Sequence, residues 1–151
     1  MSDELVFLMG QFEARFPKDR RYAKNHMWAQ EREGLFRFGF SMYAVRLLQD
    51  VYFLDWSVDA GTPLRERQQI GAIESSKAES DLYAPMAGTL TRFNPALLSD
   101  PSMINVDPYG EGWLLEIGGP GDTLLSPDDY LVHLAASWEV AQRTIKGQMN
   151  E

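Results

Sequence analysis

Apolar residues along the chain come in short runs, each closed by Gly, Pro or a charged cluster. The first, residues 3–16 (DELVFLMGQFEARF), alternates poorly and fits either a strand or a loose arm. Pro17-Lys18-Asp19-Arg20-Arg21 then reads as a charged connector. Met27–Arg32 and Leu35–Gly39 predict a hairpin closed by a Glu33-Gly34 turn. Ser41 stands as an N-cap before Ala44, Leu47 and Leu48 at helical spacing, which predicts one short helix over 41–49.

Strand patterns follow at Val51–Asp55, Gln69–Glu74, Asp81–Ala84, Gly88–Phe93 and Trp113–Ile117. Asp59-Ala60-Gly61 reads as a turn, and Ser75-Ser76-Lys77-Ala78-Glu79 as the tight link between two of the strands. Asn94 to Gly112 is a long polar connection with a helical turn at Pro95–Leu98. The end of the chain differs in kind. Ser126-Pro127-Asp128-Asp129 combines an N-cap, a proline at the first helical position and two acids in the first turn. Tyr130, Leu131, Leu134, Trp138 and Ala141 recur at helical spacing, so a long helix is expected over about 127–145. Many short strands with Gly/Pro turns and a terminal helix predict a small closed or sandwiched β-domain. Ala60-Gly61-Thr62 returns as Ala87-Gly88-Thr89, a weak echo that would suit two hairpins sharing one turn.

Composition narrows the picture. With 151 residues, 44% hydrophobic and 24% charged, the chain is sized and composed for one globular domain. Its net charge of −8 argues against nucleic acid and anionic membrane as partners, since both need a basic footprint. Cysteine is absent, so the chain itself can build no disulfide, thiolate metal site or catalytic thiol. Any sulfur chemistry must come from a cofactor. The acidic Met1-Ser2-Asp3-Glu4 and the short run Leu5–Met9 do not make a signal or transit peptide, and no run approaches a membrane span. A soluble, cytoplasmic protein, monomeric by default, is expected.

Catalytic motifs are missing. Two histidines, His26 and His133, cannot make a His-rich metal site, and no nucleophile elbow, phosphate loop or HExxH occurs. Gly118-Gly119-Pro120-Gly121 reads as a linker. What remains is Lys77, an amine at a hairpin tip with the small neighbours Ser75, Ser76 and Ala78. Either it is a solvated turn lysine or it is the group an acylating enzyme can reach. The acids Glu74, Glu79 and Asp81 favour its protonated form, which suits modification better than self-activated nucleophilic attack.

From Tyr22 onward three blocks stand out, Tyr22 to Trp28 (YAKNHMW), Glu74 to Pro85 (ESSKAESDLYAP) and Asn105 to Trp113 (NVDPYGEGW), and together they resemble the H proteins of the glycine cleavage system. Tyr22-Ala23-Lys24-Asn25-His26-Met27-Trp28 is similar to that family's Tyr-x-x-x-His-x-Trp opening. Glu74-Ser75-Ser76-Lys77-Ala78-Glu79-Ser80-Asp81-Leu82-Tyr83-Ala84-Pro85 resembles its lipoylation hairpin, and Asn105 to Trp113 (NVDPYGEGW) its third block. The three stand in family order. The resemblance implies a mainly β fold, a barrel-sandwich hybrid: the flattened β-barrel of two small sheets seen in lipoyl and biotinyl domains, here with a short helix and a C-terminal helix. It implies residues 22–151 as the lipoyl-carrier domain and residues 1–21 as an N-terminal extension.

The resemblance further implies lipoate in amide linkage on Lys77 and a carrier that is not itself an enzyme. Its expected partners are the glycine decarboxylase, the tetrahydrofolate-dependent aminomethyltransferase, dihydrolipoamide dehydrogenase and a lipoate-attaching enzyme. The arm would take an aminomethyl group from the first to the second and be reoxidised by the third. Glu74 becomes a candidate recognition point for the attaching enzyme, against a solvated strand-end acid. Asp81 is a candidate contact for the loaded arm, against a turn-capping aspartate. His26 is a candidate arm contact, against a structural hydrogen-bonding residue, while Tyr109 and Trp113 are read as core or turn-fixing.

The match has departures. The family has Glu between the His and Trp of the opening block, where this chain has Met27, and a Gly-Asp pair where it has Gln49-Asp50. Two other readings therefore stay open: an H-like relay passing lipoate to other enzymes, and an unmodified interaction paralogue. A lipoyl or biotinyl domain of a larger enzyme would share the hairpin, but biotin sites carry methionines beside the lysine, and such a domain would lack the third block.

Overall fold

A computed structural model of the chain describes residues 3–149. Its strands are β1 (Glu4–Met9), β2 (Phe12–Pro17), β3 (Arg21–Tyr22), β4 (Met27–Arg32), β5 (Leu35–Phe40), β6 (Val51–Trp56), β7 (Pro63–Leu64), β8 (Gln69–Ser75), β9 (Glu79–Tyr83), β10 (Gly88–Phe93) and β11 (Leu115–Gly118). The helices are α1 (Met42–Leu48), α2 (Pro95–Ser99), α3 (Met103–Val106) and α4 (Pro127–Met149). A six-stranded sheet in the order β3-β4-β5-β11-β10-β7 faces a three-stranded sheet, β6-β8-β9, and β1-β2 form a separate hairpin. All pairings are antiparallel.

Alternation explains the main core. On β5 the rings of Phe36, Phe38 and Phe40 turn inward between Leu35, Arg37 and Gly39. They meet Met27 and Ala29 of β4 and Ile70, Ile73 and Leu82 of the smaller sheet in one hydrophobic cluster. Trp28, on the other face of β4, belongs to a second cluster with Met9, Ala14, Phe16, Tyr22, Tyr43, Tyr130 and Leu134. The β1-β2 hairpin and α4 cover that second face. Gly39 is required there: a Cβ on it would sit 2.6 Å from the Trp28 ring.

The 4–17 segment is thus a docked hairpin rather than an arm, with Phe16 and Ala14 fully buried. Ser41 does precede α1, but its side chain makes no cap and instead bonds the Tyr130 hydroxyl at 2.8 Å. The last strand begins at Leu115 rather than Trp113. Asn94 holds the loop before it open: its Nδ2 donates to the carbonyls of Glu111 and Trp113, both at 2.8 Å, while its Oδ1 caps α2. α3, a single turn within the polar connection, has no helical periodicity to announce it. β3 and β7 hold two residues each, too few for any alternation to register. The strand expected at Asp81–Ala84 starts earlier, at Glu79, because the tip needs only Ser76 to Ala78. The terminal helix begins at Pro127 as expected and runs on to Met149.

The three-residue echo meets itself. Gly88 and Thr89 pair with Leu64 and Pro63, and the Gly61 and Leu90 amides bond Leu90 and Thr62 carbonyls at 2.7 and 3.0 Å. Among the described residues no helix is long and apolar enough to cross a membrane.

Candidate functional site

Lys77 stands exposed at the turn between β8 and β9, and the turn is built by Ser75. The Ser75 amide donates to the Ala78 carbonyl at 2.8 Å. Its buried hydroxyl accepts from the Ala78 amide at 3.1 Å and, more weakly, from the Lys77 amide at 3.4 Å. One small polar side chain therefore satisfies the inner face of the turn and leaves the lysine stem pointing away from it.

The tip is also braced from outside. The Ser76 amide donates to the Asp50 carbonyl at 2.9 Å, and the Asp50 amide donates back to Ser76 Oγ at 3.2 Å. Asn105, first residue of the third sequence block, holds that support: its Oδ1 accepts from the Val51 amide at 2.9 Å and its Nδ2 donates to the Gln49 carbonyl. Gln49 has φ 60° and ψ −133°, a backbone state that favours glycine. Two motif blocks separated in sequence thus form one clasp around the hairpin. No local pattern around Asn105 or the Gln49-Asp50 pair signals this role.

Along the free edge of β9 runs a cleft of 340 Å³. Apolar side chains of Met27, Phe40, Ala44, Leu48 and Ile73 line it, and Asp81, Asn25 and His26 supply its polar groups. Asn25 Nδ2 donates to the Tyr83 carbonyl at 3.0 Å, while among the described residues its buried Oδ1 has no hydrogen-bond partner. No motif pointed to Asn25.

His26 takes a left-handed backbone (φ 72°) and places Nδ1 3.0 Å from the Tyr130 hydroxyl. Its ring lies 4.6 Å from that of Tyr43 and 5.3 Å, stacked, from that of His133. Burial, and then the neighbouring His133, pull its pKa down to about 4, so the ring is neutral at pH 7. Burial likewise pushes the Tyr130 phenol above its ordinary value. His26 is thus both a hydrogen-bonded packing residue and part of the cleft wall.

The expected site residues therefore divide. Asp81 and His26 share the cleft beside the Lys77 hairpin. Glu74 is absent from its lining; it sits half-buried on β8, directly across from Phe53 of β6 and Glu79 of β9. Tyr109 fixes the turn region, as read: its hydroxyl donates to the Arg15 carbonyl at 2.7 Å and accepts from the Met42 amide at 2.8 Å. Trp113 is buried beneath the guanidinium groups of Arg37 and Arg92.

The family model described as glycine cleavage H-protein matches residues 20–134. A probable glycine cleavage system H protein of Natronomonas pharaonis is 39% identical over 122 residues, covering 79% of this chain and 96% of the relative. The glycine cleavage system H protein of Halorhodospira halophila is 38% identical over 125 residues, covering 82% and 93%. Among solved structures, the crystal structure of a glycine cleavage system H protein from Mycobacterium marinum superimposes with a TM-score of 0.68 at 32% identity, over 80% of this chain and 99% of that one.

Proposed function

The chain belongs to the glycine cleavage H-protein family, and from that membership we propose that it is the lipoyl carrier of the glycine cleavage system, with lipoate in amide linkage on Lys77. The observation that carries the reading is the exposed Lys77 amine, held out by Ser75 and braced by the Asn105 clasp, beside an apolar cleft with polar groups. The carrier is not an enzyme. The absence of cysteine agrees with that division of labour, since the cofactor brings the sulfur.

The residues present fit the group. The apolar wall of Met27, Phe40, Ala44, Leu48 and Ile73 suits an alkyl chain, and the unpartnered Asn25 Oδ1 suits a hydrogen-bond donor. When bound, the dithiolane supplies reversible disulfide chemistry, so that the one-carbon amine fragment of glycine passes from the decarboxylase to the folate-dependent aminomethyltransferase before dihydrolipoamide dehydrogenase restores it. The chain's own part is to present and to shelter. Asp81 offers the cleft a carboxylate for a cationic amine, and neutral His26 adds no opposing charge at pH 7. Met27, buried where the family carries Glu, makes this wall more apolar and leaves polar contacts to Asp81 and Asn25. Amide formation removes one positive charge, taking the net charge from −8 to −9.

On this reading residues 22–151 are the carrier domain and residues 1–21 an appended segment, consistent with a family match that begins at residue 20. Glu74 lies beside the tip, where an attaching enzyme approaches. The deciding measurement is the intact mass of the protein from a lipoate-replete host, beside Lys77→Arg. A lipoyl increment on the wild type that vanishes in the variant is expected. An unmodified wild type in the presence of lipoate and a ligase overturns the carrier reading.

A further inference from the structure

Two aromatic side chains of β6 stand in solvent next to the Lys77 hairpin: Tyr52 is 60% exposed and Phe53 43%. Simple alternation would bury one of two successive residues. A bulge between Val51 and Phe53 removes that constraint, because Val51 faces Ser75 and Phe53 already faces Glu74. Phe53, Glu74 and Glu79 thereby form one rung across the outer face of the three-stranded sheet, immediately beneath the tip that carries Lys77. On the next rung Asp55 lies across from Ala72. Among the described residues, none of the acids Asp55, Glu74 and Glu79 has an ion-pair partner. The face is thus two exposed rings set among unneutralised carboxylates.

We propose that this face is the docking surface for the enzyme that acylates Lys77, a partner with an apolar pocket for Tyr52 and Phe53 and a rim of Lys and Arg side chains against the acids. The inference rests on the reading of Lys77 as the modified residue. Geometry selects this partner over the others. A catalyst that works on the bare Nζ has only the four-carbon lysine stem between its cleft and the hairpin backbone, so its rim must rest on the rungs below the tip. Enzymes that meet the far end of a loaded arm face no such constraint. Exposed apolar residues ringed by charge are also what a transient, desolvating contact needs. The step forms an amide between Nζ and the acyl carbon, expels the leaving group of the activated acyl donor and releases a proton, with no change of oxidation state.

The test is the kinetics of lipoylation, read by intact mass, with a lipoate–protein ligase, lipoate and ATP. The unmodified full-length protein serves as varied substrate. Tyr52→Ser/Phe53→Ser is compared with Tyr52→Leu/Phe53→Leu, which keeps apolar surface, and with Val132→Ser, which trims an exposed residue of α4. The serine pair should raise KM about tenfold with kcat within about twofold, the leucine pair should recover most of the loss, and Val132→Ser should match the wild type. Thermal unfolding of each variant separates a docking defect from a folding one. A serine pair that folds and keeps the wild-type KM overturns the docking surface while leaving Lys77 as the site. A wild type that takes no lipoyl group overturns the underlying reading instead.

Discussion

His26 shows how one residue couples the cleft to stability. Its ring packs against those of Tyr43, Tyr130 and His133, and burial is the main influence on its proton, with His133 second. The pKa falls from 6.5 to about 4. Unfolded chains therefore take up a proton here below pH 6.5, while the folded protein resists until near pH 4. The stabilisation is fully present above pH 6.5 and is lost as the pH falls through that window. Its size is about 3 kcal/mol at most, from about 1.4 kcal/mol per pH unit. Urea unfolding of the wild type should show that decline between pH 7 and pH 4. His26→Asn, which tolerates the left-handed backbone, should be less stable at pH 7 but lose roughly 2–3 kcal/mol less on acidification. Equal pH slopes would show that the ring is not held neutral.

Elements were legible where one face is apolar and the other polar. β5, β10 and the start of α4 obey that rule, and their patterns placed them to within a residue or two, while β4, buried on both faces at Met27–Ala29, was marked instead by its apolar start and the Glu33-Gly34 turn after it. The β1-β2 hairpin breaks it. Leu5, Phe7 and Met9 face inward, but Val6 and Leu8 between them are apolar and exposed, so no alternation is visible. Its consequence for packing is large even so. Phe16 is fully buried, edge-on to Tyr22 at 5.6 Å and to Tyr130 at 5.4 Å, and Arg46 Nε donates to the Glu13 carbonyl at 2.8 Å. Phe16→Ala should cost about 3–5 kcal/mol, the usual loss for a ring removed from a closed core. Denaturant titration should show it as a lower midpoint with an unchanged slope. A cost under about 1 kcal/mol would mean that the hairpin is a detachable cover.

Across the whole molecule, the lysine was readable because its neighbours are short, polar and contiguous. The clasp and the cleft were not, because each gathers residues far apart in the chain. Asn105 acts on Gln49 and Val51, and Asn25 meets Tyr83, through contacts no local pattern encodes. The same long-range arrangement sorts the charge. Asp50, Asp55, Glu74, Glu79 and Asp81 collect around the Lys77 hairpin, whereas Arg20, Arg37 and Arg92 lie on the aromatic rings Trp28, Tyr109 and Trp113 of the larger sheet's side. Five of the chain's 22 acids thus stand around the hairpin that, on the proposed function, partner enzymes must approach, and their field should steer a basic partner. Steering of this kind acts on encounter and is screened over a Debye length, about 30 Å at 0.01 M salt and about 8 Å at 0.15 M. Stopped-flow reduction of the lipoylated protein by NADH through dihydrolipoamide dehydrogenase should therefore slow severalfold in its second-order rate across that range, with the maximal rate little changed. Glu79→Gln/Asp81→Asn should flatten the dependence by lowering the charge beside the arm. A second-order rate indifferent to salt would assign recognition to shape alone and leave the acids as a solvated face.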